Sequence, residues 1–283
     1  MTLLSDKIDA MPSLRVTVEA FGLMAKKALG QNFLLDRNIT DKIVRLSLEK
    51  QGLKDFSGEN VFEVGPGPGG LTRSVMRANP KSLTVVEMDE RCIGIMEDIR
   101  RLAPEQMEII SGDALQVDFS VLKQPPRHIV SNLPYNVSVP LLLNWLSNID
   151  AYRSLTLMFQ KEVADRIMAP IKTKNYGRIS ILSQLQCQID RLIDLSPECF
   201  VPAPKIWSSV LLFRPKEKTL SKEQIAKIEK ITQAAFAQRR KMIRQSLKGY
   251  VGLESAAQKA GVLLTQRPEE ITPQQFLILA ENL

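Results

Sequence analysis

Residues 65–70 read Gly-Pro-Gly-Pro-Gly-Gly and follow an apolar run, 60–64, that is expected to be a strand. They contain Gly65-x-Gly67-x-x-Gly70, the spacing at which a strand turns sharply into a helix and lets a nucleotide-containing ligand approach the backbone. A pyrophosphate held there needs main-chain N–H donors, and Pro66 and Pro68 remove two of them. A cofactor without phosphates loses less. S-adenosylmethionine is one: it joins an amino acid, a sulfonium cation and a single ribose, and Glu63 would set the loop or attract the cationic end. The same glycines would equally serve a tight turn with no ligand.

Further acids stand where later strands are expected to end. Glu87 closes the run 83–87 and is suited to accept from both ribose hydroxyls, while Asp113, in Gly112-Asp113-Ala114 after the run 108–111, is suited to the adenine amino group. Either acid alone would also serve as a helix cap. Their shared position carries more weight, because ligands of open α/β sheets collect beyond the carboxyl ends of strands.

After a fourth run, 129–132, comes Asn132-Leu133-Pro134-Tyr135-Asn136. An exocyclic adenine amine is a weak nucleophile because its lone pair is delocalised into the ring. Acceptors against its N–H groups, the Asn132 side-chain oxygen and a main-chain carbonyl such as that of Leu133, would return density to nitrogen. Proline stiffens the turn, and Tyr135 offers a face for stacking. A Pro-induced loop with a buried tyrosine is the alternative reading of the tetrapeptide.

Positioning these groups requires strands that alternate with helices. Runs at 60–64, 83–87, 108–111, 129–132, 155–159 and 209–213 predict βαβ units, hence a doubly wound, Rossmann-like α/β sheet. Cys187–Leu195 and 208–213, joined by the Pro-rich 197–204, predict an antiparallel edge hairpin. Beyond Arg214, Pro215 opens a linker, Ser221 with Gln224 forms a capping box, and glycines and prolines divide the remainder into short helices. The expected domains are a lead-in, 1–30, a catalytic domain, 31–214, and a small all-helical domain, 215–283.

Of 283 residues, 44% are hydrophobic and 24% charged, ordinary for a globular chain. Residues 1–200 balance 24 basic against 24 acidic side chains, whereas 201–283 hold 14 against 7. This basic tail predicts a module facing a polyanion, with nucleic acid foremost and a merely soluble surface as the alternative. Within 236–248, read as one helix, Arg240, Lys241, Arg244 and Lys248 share an arc opposite Phe236, Met242, Ile243 and Leu247. Arg239 adds to the expected RNA-binding set, and Lys26 and Lys27 would join it from the lead-in. Three cysteines without a C-x-x-C pair fit a reducing compartment, so a cytoplasmic protein without metal or membrane span is expected. The one histidine, His128, starts a predicted strand and is read as structural.

Taken together, these motifs resemble the ribosomal RNA adenine N6-dimethyltransferases. The resemblance runs through Leu29-Gly30-Gln31-Asn32-Phe33-Leu34, residues 63–72, Glu87, Gly112-Asp113-Ala114 and Asn132 to Asn136. It continues in Gln160-Lys161-Glu162-Val163, Tyr176-Gly177-Arg178, Phe200-Val201-Pro202-Ala203-Pro204-Lys205 and Gln238-Arg239-Arg240-Lys241. It implies S-adenosylmethionine as cofactor, contacted by Asn32 and Leu34, by Gly65 at the amino-acid part, by Glu87 and Met88 at the ribose side, and by Asp113 and Ala114 at the adenine. Asn132 would span cofactor and substrate, and Phe200 would close the target base against Tyr135. Val137, Val139 and Trp207-Ser208 depart from the usual pattern.

The reaction so implied is dimethylation of two adjacent adenosines of small-subunit ribosomal RNA, free or in a partly assembled small subunit, by a monomer. The erythromycin-resistance type acting on large-subunit RNA, a non-catalytic assembly or transcription factor, and a nicotinamide oxidoreductase are the alternatives. Leu133 and Tyr176-Gly177-Arg178 weigh against the first, the full set of contact residues against the second, and Pro66 with Pro68 against the third.

Overall fold

The computed structural model describes residues 3–23 and 32–283. Nine strands are present among them: β1 Phe33–Leu34, β2 Asn60–Val64, β3 Ser82–Glu87, β4 Met107–Ser111, β5 Arg127–Ser131, β6 Ser154–Gln160, β7 Cys187–Leu195, β8 Phe200–Val201 and β9 Ser208–Pro215. Seven form one sheet in the order β4-β3-β2-β5-β6-β9-β7. The five from β4 to β6 pair in parallel, and β9 runs antiparallel to β6. Strands β2 and β5 are buried along their whole length, as expected where helices cover both faces. The expected doubly wound sheet and its antiparallel edge are therefore present, with β9 inserted between β6 and the edge strand β7.

The sheet order reverses between β2 and β5. Their ladder runs from Asn60↔Arg127 to Phe62↔Ile129. Beyond it the Ser131 hydroxyl substitutes for backbone pairing, donating to Val64 O at 2.6 Å and accepting from Val64 N at 3.3 Å. A crevice at the carboxyl ends of the strands is the expected consequence of such a switch.

Sequence reasoning missed a second, two-stranded sheet. β1 pairs antiparallel with β8, Phe33 opposite Val201 and Leu34 opposite Phe200. His128 is fully buried at the start of β5, its ring nitrogens bonded to Ser154 Oγ at 2.8 Å and Glu59 Oε2 at 2.9 Å, in keeping with the structural reading.

Two compact units divide the chain. The first comprises Met1–Asn144, Asp150–Lys161 and Asp190–Arg214; the second comprises Trp145–Ile149, Glu162–Ile189 and Pro215–Leu283. The helical unit is thus larger than 215–283, and residues 3–23 of the expected lead-in group with the sheet. The second unit extends upstream because its apolar core needs Tyr176, Ile181 and Leu185 beside Ile228, Ile231, Phe276 and Leu279. Tyr176 is buried there with its hydroxyl donating to Ile271 O at 2.8 Å. Ser221 and Gln224 make the expected reciprocal cap of the helix Lys222–Ala237.

Candidate active site

A cavity of about 570 Å³, ample for a nucleoside-sized ligand, opens at the switch point of the sheet. Its wall brings together Asn32, Leu34, Gly65, Glu87, Met88, Asp113, Ala114, Asn132, Leu133 and Tyr135, ten residues singled out from the sequence.

The glycine loop is shaped by the protein's own chain. Gly67 has φ +54, and a Cβ there would lie 3.0 Å from the Phe33 ring; a Cβ on Gly70 would lie 2.5 Å from Leu34 O. These positions therefore admit the β1 segment, which carries Asn32 and Leu34 into the wall. The loop's N–H groups are largely spent internally. Gly65 N donates to Val86 O at 2.9 Å, Gly69 N to Pro66 O at 3.0 Å, and Gly67 N to Glu87 Oε2 at 3.2 Å. With Pro66 and Pro68 offering no donor, little remains for a pyrophosphate, and a phosphate-free cofactor suits the loop.

Glu87 also accepts from Met88 N at 2.8 Å and Asp89 N at 2.9 Å through Oε1. Burial raises its pKa against these three bonds. Its carboxylate is fixed before any ligand arrives. Asp113 Oδ1 caps the turn Ala114–Gln116 by accepting from Leu115 N at 2.9 Å, and the residue also lines the cavity. Met88 is 69% exposed at the rim and Ala114 is buried in the wall.

Glu63, expected to set the loop or attract a cation, has an unexpected protonation state. It is buried in the cavity wall, and its Oε2 has no hydrogen-bond partner. Burial pushes its carboxyl up to about 8, nearby Glu87 adds to the rise, and a bond with Thr72 opposes it. The cofactor-free protein therefore holds Glu63 neutral at pH 7. A cation entering the cavity reverses that balance, because an opposite charge favours the ionised form. The cavity wall thus combines a latent negative charge at Glu63 with the hydrogen-bonded carboxylates of Glu87 and Asp113.

Asn132 stands one residue past β5. Its amide nitrogen donates to Asn32 O at 3.4 Å, and the residue lines the cavity. Leu133 is buried, and Pro134 packs against Gly65. Tyr135 begins the helix Tyr135–Leu146, its hydroxyl tied to Ser208 Oγ at 2.7 Å, so its ring is pinned from β9. Phe200 is different. It is 3% exposed, packs in the core with Phe33 and Leu34, and is absent from the cavity wall. The expected closure of a base between Phe200 and Tyr135 is not present in this arrangement, because pairing with β1 turns Phe200 into the core. Arg91 and Asp89, not singled out from the sequence, also line the cavity and are paired at 2.6 Å; the Asp-x-Arg after Glu87 was the available signal.

The comparisons with known proteins meet this geometry. Residues 22–283 match the model of the family described as ribosomal RNA adenine dimethylase. The chain belongs to the ribosomal RNA adenine dimethylase family. It is an S-adenosylmethionine-dependent ribosomal RNA dimethyltransferase. The ribosomal RNA small subunit methyltransferase A of Rhodospirillum rubrum is 42% identical over 273 residues, 96% of this chain and 92% of the relative. A dimethyladenosine transferase from Plasmodium falciparum shares the fold at TM-score 0.71 and 22% identity, covering 86% of this chain and 94% of that one. The 23S rRNA methyltransferase ErmE does so at TM-score 0.65 and 23% identity, covering 89% and 99%.

The expected basic stripe of the dimethylase is corrected in its geometry. Residues 236–248 are not one helix: Lys222–Ala237 ends, a turn follows, and a short helix Ile243–Ser246 begins. The break follows from other partners for the backbone, since Ile243 N donates to Gln266 O at 2.7 Å and Arg244 N to Leu264 O at 3.2 Å. Ile243 and Leu247 are buried as expected, but Met242 is 36% exposed. Arg240, Lys241, Arg244 and Lys248 are exposed. Arg239 instead binds the protein, donating to Thr173 O at 2.8 Å and Lys174 O at 2.5 Å beside Glu269. Leu29, Gly30, Gln31, Lys26 and Lys27 lie outside the described residues.

Proposed function

We propose that the protein dimethylates N6 of two adjacent adenosines in small-subunit ribosomal RNA, in the cytoplasm, during assembly of the small subunit. The observation that carries the reading is the Asn132-Leu133-Pro134-Tyr135 turn set directly beside the glycine loop in one cavity, with Asn132 tied to the Asn32 segment. The small-subunit assignment is supported by the name of the R. rubrum relative.

When bound, S-adenosylmethionine supplies an electrophilic methyl group on a cationic sulfur. Glu87 and Asp113 orient its nucleoside and Glu63 balances its charge. Asn132 Oδ1 and the Leu133 carbonyl accept from the target amine, concentrating its lone pair on nitrogen, and Tyr135 stacks on the base. Held by Glu63, Glu87 and Asp113, the cofactor would supply the methyl group and leave as the neutral thioether, and the extra proton on N6 would pass to solvent. No strong base is needed, since in-line transfer depends on proximity and orientation. This accords with a cavity free of histidine, His128 being buried elsewhere. Arg240, Lys241, Arg244 and Lys248 provide contacts to RNA phosphates.

The reading is tested by incubating the protein with S-adenosylmethionine and small subunits lacking the modification, then digesting the RNA to nucleosides. N6,N6-dimethyladenosine is expected from small subunits; its appearance only in large-subunit RNA would move the activity to the erythromycin-resistance type.

A further inference from the structure

We propose that the first helices of the chain, Leu4–Asp9 and Leu14–Ala20, form a clasp that positions two walls of the cofactor site, with Arg73 as the positioning residue. The proposal rests on the S-adenosylmethionine reading of that site. Most of the clasp precedes residue 22, where the family model begins.

One wall is the helix Gly70–Arg77, whose first residues Gly70 and Leu71 line the cavity. Arg73 lies in its first turn, yet the residue is 5% exposed and its guanidinium reaches the clasp rather than the cavity, whose wall it does not join. Nη1 donates to Pro12 O at 2.6 Å and Nη2 to Thr17 Oγ1 at 3.2 Å, while Thr17 Oγ1 donates to Ser13 O at 3.1 Å. Burying a charged group costs free energy unless its donors are satisfied; main-chain and hydroxyl oxygens of the clasp satisfy both terminal nitrogens, while Nε is buried without a partner among the described residues. One turn further on, Arg77 binds Asp9 at 2.7 Å and Asp41 at 3.0 Å. Leu14 Cδ1 lies 3.2 Å from where a Cβ of Gly70 would stand, so the clasp also packs on the start of the helix itself.

The other wall is the helix Glu90–Arg100, which follows Glu87 and contributes Glu90 and Arg91 to the cavity. Arg91 donates to Gly22 O at 3.2 Å while pairing with Asp89, the cap of that helix. The Phe21 ring lies 3.1 Å from the Cβ position of Gly94. A single segment therefore braces the helix after the glycine loop and the helix after the ribose acid. A ligand that needs both walls in register must bind better when the clasp is closed, and by linkage must close it in turn.

Reciprocity supplies the test. In the full-length protein, S-adenosylhomocysteine is expected to slow amide exchange over residues 14–22 several-fold, although no residue of that stretch lines the cavity. Arg73→Ala is expected to weaken S-adenosylhomocysteine binding about 10-fold by isothermal titration, within the usual range of site-to-site coupling, and to abolish that protection. Circular dichroism checks that the variant is folded; if it is not, Leu14→Ala decides by the same two readouts. A folded variant with unchanged affinity, or wild-type exchange indifferent to ligand, would overturn the clasp. Failure of the wild-type protein to bind S-adenosylhomocysteine at all would instead overturn the cofactor reading and the proposal with it.

Discussion

Replacing Glu63 by Gln should flatten the pH dependence of the cofactor-free protein. The carboxyl rises from 4.5 to about 8 because it is buried near Glu87. In that interval the folded protein keeps a proton that the unfolded chain has released. Stability therefore falls as pH increases, opposite to the usual carboxylate, with the contribution intact below pH 4.5 and lost as pH climbs through about 8. At about 1.4 kcal/mol per pKa unit the full loss is on the order of 5 kcal/mol, comparable to the whole stability of many domains. Glutamine mimics the neutral acid and has no proton to lose. Thermal unfolding of both proteins at pH 5, 6.5 and 8 should show the wild-type midpoint dropping relative to Glu63→Gln by roughly 10 °C across the series. S-adenosylmethionine, being cationic, should bind the wild type more tightly as pH rises toward 8, with proton release visible as a buffer-dependent heat in titration, and Glu63→Gln should show neither effect. A midpoint difference that does not change with pH would refute the reasoning.

Asn132→Ala should lower methyl transfer by at least ~100-fold with an unchanged melting temperature, following typical losses for one electrostatic contact; activity within a few-fold of wild type would remove Asn132 from the chemistry. Glu87→Ala should weaken cofactor binding more than binding to the small subunit, as separate titrations would reveal. Arg240→Glu with Arg244→Glu should reduce affinity for the particle and flatten its salt dependence by about 0.7–0.9 per lost phosphate contact. Arg239→Ala should act instead on folding, costing on the order of 1–2 kcal/mol through its lost carbonyl bonds; a melting temperature equal to wild type, with weakened RNA binding, would return Arg239 to the phosphate-binding set.

The parallel strands were legible because each is a short apolar run long enough to show its bounds, and because the glycine loop marks where β2 ends. Strand ends then located Glu87, Asp113 and Asn132 without any knowledge of contacts. The pairing of β1 with β8 was not legible, since two-residue strands carry no periodicity and their partners lie far apart in sequence. That pairing also explains Phe200, whose burial follows from the strand it belongs to. Residues 236–248 misled for the opposite reason: their apolar spacing persists across a turn, and only backbone bonds to Leu264 and Gln266 reveal the break. Glu63 reads in the sequence as setting the loop or attracting the cationic end of the cofactor, but its neutral state was not legible, because it follows from burial that only the fold creates.

The central claim is methyl transfer to adenine by this cavity. It is tested most directly by mass spectrometry of nucleosides from unmodified small subunits treated with S-adenosylmethionine and either wild-type protein or Asn132→Ala. Two N6,N6-dimethyladenosines per small subunit with wild type, and almost none with the variant, is the predicted result. Absence of the dimethylated nucleoside with wild-type protein, or equal amounts from both proteins, would contradict it.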